Sequence, residues 1–138
     1  MFEYLKHTAD IKIRIKAKTD FELFSEICNA VNNTIFEKQF SKFSKQKILF
    51  LEAESMPRLI HTFIDEIVYL ANYKHFTSKL INCSLNSKDQ KYFLQCALVL
   101  NKVKAEDYKI EIKATSFNIL YKENAIKKEK ICEFILDV

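Results

Sequence analysis

The first clear pattern in the chain is an alternation. From Asp10 to Lys18 the residues read Asp-Ile-Lys-Ile-Arg-Ile-Lys-Ala-Lys. Period two predicts a strand, with Ile11, Ile13, Ile15 and Ala17 on the core side and Asp10, Lys12, Arg14 and Lys16 on the other. The period then changes. Thr19 followed by Glu22 has the spacing of a capping box, and Phe24, Ile27, Cys28, Val31 and Ile35 recur at helical intervals. A helix is predicted from about Asp20 to about Phe36. A second strand spans Lys47 to Ala53. Ser55 can cap a second helix, with Pro57 in its first turn, where a missing N–H costs little. Leu59, Ile60, Phe63, Ile64, Ile67, Val68 and Ala71 form its apolar face; Arg58, Thr62, Asp65, Tyr69 and Asn72 lie opposite. This helix is expected to end near Tyr73 to His75.

Beyond it the pattern is strand-like. Leu80–Leu85 and Tyr92–Leu100 flank the polar turn Asn86-Ser87-Lys88-Asp89. Tyr108–Lys113 alternates and is expected to run on from Ser116 to Tyr121. Asn124 marks a turn before a last strand, Ile131–Asp137. Two helices followed by a run of strands predict an α+β domain over residues 1–138, with a mixed or antiparallel sheet of about six strands. The two helices are expected to cover one face of that sheet and to leave the other partly open.

Composition removes several functions. Glycine is absent and proline occurs once. A Walker loop, a dinucleotide fingerprint and a nucleophile elbow all need glycine, so none is present. Turns must rely on Asn, Asp, Ser and Lys, under strain wherever φ is positive. Cys28, Cys83, Cys96 and Cys132 have no CxxC spacing and sit among apolar neighbours, which predicts reduced, buried thiols and suits the cytoplasm. MFEYLKHTAD has no apolar run of a signal peptide, and no stretch reaches membrane-spanning length. The net charge of +4 comes from many lysines and two arginines, Arg14 and Arg58. It permits a polyanion nearby without requiring one.

Three acidic spots are candidates for chemistry. His7-Thr8-Ala9-Asp10 sets an imidazole and a carboxylate before the first alternating strand. Asp137 interrupts the apolar run Phe134-Ile135-Leu136-Asp137-Val138. Asp65 and Glu66 are adjacent on the second helix and point about 100° apart, so they do not chelate one ion together. If Asp10 and Asp137 lie on neighbouring strands, their oxygens can share one hard cation, Ca²⁺ or Mg²⁺, with carbonyls and water completing the shell. His7, His61 and His75 lack zinc spacing. Lys113, at the end of Tyr108–Lys113, reads by itself as a solvated surface lysine.

These spots also occur in a familiar order. Phe2-Glu3-Tyr4-Leu5-Lys6-His7-Thr8-Ala9-Asp10-Ile11 closely resembles the N-terminal signature of the archease family. Phe63-Ile64-Asp65-Glu66-Ile67-Val68-Tyr69-Leu70 is similar to that family's central helix, Glu111-Ile112-Lys113-Ala114-Thr115 to its late Val-Lys-Ala segment, and Phe134 to Val138 to its last strand. The chain departs from the family pattern at Leu100–Asp107, which lacks a Gly-Glu turn and a following histidine, and at Ser116-Phe117-Asn118, which stand where Tyr-His is usual. The resemblance implies a non-enzymatic cytoplasmic protein, monomeric when free and not membrane-bound. Its implied partner is an RtcB-type RNA ligase, which joins RNA ends using GTP, so contact with RNA is indirect. It further implies that Asp10 and Asp137, with the neighbouring Val138, hold a divalent metal (Ca²⁺, or Mg²⁺ or Mn²⁺). His7 would join that constellation, and Lys113 and Asp65 would belong to the functional surface. Two other functions are compatible with the residues alone. One is a metal-dependent RNA phosphohydrolase using the same carboxylates. The other is a basic RNA- or protein-binding chaperone using Lys12, Lys16, Lys18, Lys127, Lys128 and Lys130.

Overall fold

A computed structural model describes residues 1–5, 10–116 and 118–138. The elements run β1 (Phe2–Leu5), β2 (Ile11–Ala17), α1 (Asp20–Ile35), β3 (Lys45–Ala53), α2 (Met56–Asn72), β4 (Phe76–Lys88), β5 (Lys91–Lys102), a 3₁₀ turn (Ala105–Asp107), β6 (Ala114–Thr115), β7 (Leu120–Asn124) and β8 (Glu129–Asp137). The α+β class stands, and every described strand pairing is antiparallel. The described strands number eight and divide into two sheets. One has the order β1-β2-β8-β6, with β7 also on β8; the other is β3-β5-β4.

Alternation explains the centre of the larger sheet. Ile13, Ile15 and Ala17 of β2 pair with Phe134, Cys132 and Lys130 of β8. All of these except Lys130 are buried. Both helices are laid down as their patterns require. The Thr19 hydroxyl accepts from the Glu22 N–H at 3.0 Å, and Ser55 caps α2 through the Arg58 N–H at 3.3 Å. The helices meet through Phe24 and Phe63, whose rings stand edge to face at 5.1 Å. Their apolar faces join both sheets in one hydrophobic core, which removes those side chains from water.

The alternation of Tyr108–Lys113 predicts a strand, and the structure corrects this. Its side chains keep the alternation, with Ile112 fully buried, yet its backbone wraps the end of α1. The N–H groups of Lys109 and Ile110 both reach the Ile35 carbonyl, at 2.7 and 3.3 Å, and Phe36 makes an isolated bridge to Tyr108. The C-terminal carbonyls of a helix need partners, and this segment supplies them. The expected run from Ser116 to Tyr121 is likewise broken. β6 and β7 both pair with β8, but their registers differ by two residues across the gap between them. β1 has no counterpart among the predicted strands; four residues give too little periodicity to read.

Without glycine, positive φ falls on His75, Asp89, Gln90 and Lys128. Asp89 and Gln90, at φ 53° and 63°, turn the β4–β5 hairpin where an Asn-Gly pair would ordinarily serve. The strain of two non-glycine residues in the left-handed region is recoverable. Gln90→Gly is expected to raise the urea midpoint slightly; a lowered midpoint would show that the Gln90 side chain contributes more than its backbone costs.

The helix-facing side of the three-stranded sheet buries Leu49, Leu80, Leu94, Cys96, Leu98 and Leu100. Its other side leaves Ile48, Phe50 and Phe93 exposed.

Candidate functional site

β2 and β8 are the central pair of the larger sheet, and their ladder ends on the pair Ile11↔Leu136. Extending the same register by one position would set Asp10, just before β2, across from Asp137, the last residue of β8. Alternation puts both on the outward side of the sheet, with Lys12, Arg14, Glu133 and Ile135. Asp10 is half-buried and Asp137 is exposed. On the far side of β8, Ala114 pairs with Asp137, and the Lys113 N–H donates to the Asp137 carbonyl at 2.7 Å. Asp10, Asp137, Val138 and Lys113 therefore gather at one end of the sheet.

Asp65 approaches the same end from α2. Its carboxylate lies 3.3 Å from His61 Nδ1, and His61 Nε2 lies 3.1 Å from the Thr115 carbonyl, one residue beyond Ala114. His61 is nearly buried while Asp65 remains about half exposed. This link is legible in principle, since positions 61 and 65 are i and i+4 on a helix and must face each other. Testing the three histidines for zinc spacing alone misses it. His7 lies outside the described residues.

Among the described residues no three His, Cys, Asp or Glu side chains converge tightly enough to hold a metal. The donor set at this sheet end is two carboxylates. Hard oxygen donors fit Ca²⁺, Mg²⁺ or Mn²⁺ with water completing the shell, and such a set suits nothing softer. Thiolates do not contribute to it. All four cysteines are free, three of them buried in the core and Cys83 half-buried. Burial raises Cys28 and Cys83 to about 11, and Cys96 and Cys132 to about 12, so they are protonated at neutral pH.

Further along the outward face, charge is already paired. Glu133 meets Arg14 Nε at 2.8 Å and Lys12 Nζ at 3.4 Å. On the other, helix-facing side of β8, where it pairs with Ala17, Lys130 reaches Glu123 at 3.1 Å and Asp20 at 3.4 Å. Lys12 and Lys130, two members of the candidate basic patch, are thus occupied by carboxylates.

The same pairing sets the acid response. Partial burial acts to raise the pKa of Glu133, but its hydrogen bonds to and attraction for Arg14 and Lys12 outweigh that and hold it below the ordinary 4.5. Asp107 is held below 3.8, chiefly by the Lys104 N–H, and Glu123 below 4.5 by Tyr121 and Lys130. A depressed folded value means the unfolded chain binds protons more readily. The stabilisation is present above the unfolded values and is lost as pH falls through the folded ones. The urea midpoint is expected to drop as pH falls from about 5 through about 3, and less steeply in Glu133→Gln. Identical slopes for the two proteins would remove Glu133 from the acid response.

The fold defines a class: a small α+β protein with two antiparallel sheets and two helices around one core, with Asp10 and Asp137 adjoining the last pair of its central strands. The family model described as Archease protein family (MTH1598/TM1083) matches residues 2–138, and the chain belongs to the archease family. It is 25% identical over 122 residues to the protein archease of Methanosarcina barkeri, covering 86% of this chain and 84% of that one. It is 26% identical over 119 residues to the protein archease of Pyrococcus furiosus, covering 85% and 84%. The fold is similar to the solution structure of Methanobacterium thermoautotrophicum protein 1598, with a TM-score of 0.80, 20% identity, and coverage of 99% of this chain and 98% of that one. No described helix is long and apolar enough to cross a membrane.

Proposed function

We propose that this chain is a non-catalytic activator of an RtcB-type, GTP-dependent RNA ligase in the cytoplasm, serving tRNA splicing and RNA repair. It promotes guanylylation of the ligase and multiple turnover, and it does so through a divalent cation held by Asp10 and Asp137. Family membership supports the partner. The observation that supports the site is the β2–β8 register, whose last pair, Ile11 with Leu136, directly adjoins Asp10 and Asp137.

A hard cation held there supplies positive charge for phosphate oxygens. The chain's own residues do the rest. Asp10 and Asp137 supply anionic oxygen. Lys113 adds an ammonium from the neighbouring segment, suited to a nucleotide phosphate or to an acidic rim on the ligase. Asp65 and His61 fix α2 against β6 through the Thr115 carbonyl and so hold the outer wall of the site in place. The protein then favours whichever ligase conformation accepts this tip, by binding that state more tightly.

The test is the initial rate of ligase guanylylation with GTP and Mn²⁺ or Mg²⁺, using the ligase from the same organism. A saturating amount of this protein is expected to raise the rate and to let each ligase molecule turn over repeatedly. An unchanged rate at saturation overturns the reading.

A further inference from the structure

The open face of the β3-β5-β4 sheet has a composition that neither the core nor the carboxylate site explains. Phe50 is 74% exposed, on the strand beside Phe93, which is 37% exposed. Phe93 lies between Asn86 of β4 and Glu52 of β3, and Gln95 lies between Ser84 and Phe50. The two rings are therefore diagonal neighbours, about 7–8 Å apart between strands, within reach of one extended ligand. A shallow depression of about 360 Å³ runs between them, lined also by Glu52, Ser84, Asn86 and Gln95, with the Glu52 carboxylate beside Phe93. A second recess, sharing Ser84 and Gln95, continues it past Ile48 and Asn82.

Charge singles out this sheet as well. Its strands carry six lysines against one carboxylate, Glu52, in a chain whose net charge is +4. By register Lys79, Lys88 and Lys91 share the open face with Glu52, while Lys45, Lys47 and Lys102 lie on the other side, where Lys45 and Lys102 stack on Phe76. The excess of positive charge lies in these three strands. On the open face, the register sets Lys88 and Lys91 opposite each other at one end and Lys79 at the other.

We infer that this face is a binding platform for short single-stranded nucleic acid. The exposed phenylalanines stack bases, and Asn82, Asn86 and Gln95 offer donors and acceptors to base edges. Because the Glu52 carboxylate sits beside Phe93, phosphates are expected at the lysine-bearing ends rather than over the rings. Stacking on aromatic side chains over a sheet, with flanking cations, is the physical basis of sequence-tolerant single-strand binding. A protein partner fits the face less well. A protein interface concentrates apolar residues at its centre and is depleted in lysine, whereas here Asn86, Gln95, Ser84 and Glu52 flank the two rings, Ile48 is exposed further along the face, and lysines stand at its ends. The platform lies on the other sheet from Asp10 and Asp137, and it stands or falls independently of ligase activation.

The chain contains no tryptophan, so Phe50→Trp gives a clean reporter. Labelled octamers of oligo(U) and oligo(dT) titrated into the full chain at low salt are expected to raise anisotropy and, in the reporter variant, to quench the fluorescence of the introduced indole. The two oligomers separate a ribose requirement from stacking alone. Phe50→Leu with Phe93→Leu keeps an apolar surface but removes both π faces, and is expected to weaken binding roughly tenfold or more. Lys91→Gln removes one cation that meets a phosphate and is expected to reduce the salt slope by about 0.7. Four results overturn the inference: no binding at low salt, equal affinity for a duplex of the same length, unchanged affinity in the double leucine variant with its circular dichroism intact, or self-association that buries the introduced indole without nucleic acid.

Discussion

Asn32→Leu is expected to destabilise the protein by about 3–5 kcal/mol, although leucine is of similar size. Asn32 is only 9% exposed and sits on the buried side of α1. Its amide donates to the Cys28 carbonyl at 2.9 Å and to Ser78 Oγ at 3.1 Å. Its carbonyl accepts from Thr77 Oγ1 at 3.0 Å and from the Ser78 N–H at 3.1 Å. One side chain thus binds the helix to two successive residues of the edge strand β4. Leucine fills the space and leaves the Ser78 N–H, the Thr77 hydroxyl and the Ser78 hydroxyl without this partner. Each buried polar group so stranded costs about 1–3 kcal/mol. Urea unfolding measures the loss. A change below about 1 kcal/mol would mean that water from the adjoining recess, which is lined by Asn29, Asn32, Thr77 and Ser78, replaces the amide.

Asn32 also marks where reading the sequence stops. The apolar stripe of α1 is visible in Phe24, Ile27, Cys28, Val31 and Ile35, because periodicity reports hydrophobic burial directly. A buried asparagine contributes nothing to that signal, and its partners at 77 and 78 are distant in sequence. The same limit explains the sheets. β2, β3, β5 and β8 alternate strongly enough to be recognised, but alternation says which side of a strand is wet and not which strand lies beside it. The division into two sheets is therefore invisible to it. At Tyr108–Lys113 the pattern gives the right burial and the wrong backbone, since side chains can alternate while N–H groups serve a helix end. Among the positive-φ residues, Asp89 and Lys128 belong to types expected to carry turns in a chain without glycine; His75 and Gln90 do not.

The site is legible in a different way. Asp137 stands out locally, as a carboxylate interrupting an apolar run, and Asp10 much less so; what their neighbours do not reveal is their approach, which rests on pairing between β2 and β8 across almost the whole chain. Only the ordered resemblance of four segments links them without the register. That resemblance includes Asp65 and passes over His61, whose contact with Thr115 gives Asp65 its link to the sheet end. Local helix geometry supplies that link.

Asp137→Asn is expected to separate stability from function at this sheet end. Facing carboxylates on neighbouring strands repel, at a cost of about 0.2–1 kcal/mol. Asparagine keeps the shape and the backbone contact in which the Asp137 carbonyl accepts from Lys113, while removing one charge. With chelator present, the variant should therefore be as stable as the parent or slightly more so. A bound cation reverses the order. At a free concentration about a hundredfold above its Kd, a ligand that binds only the folded state stabilises by about 2.7 kcal/mol. Titrating Ca²⁺, Mg²⁺ or Mn²⁺ is expected to raise the Tm of the parent and leave that of Asp137→Asn nearly unmoved, with Asp10→Asn behaving alike. Stimulation of ligase guanylylation should fall with the cation response, because both draw on the same pair of oxygens. A carboxylate kept for structure gives the opposite result, with the variant weaker in chelator and an equal cation shift in both proteins. A variant that loses the cation shift and still stimulates the ligase fully would show that activation works through shape and Lys113, without the ion.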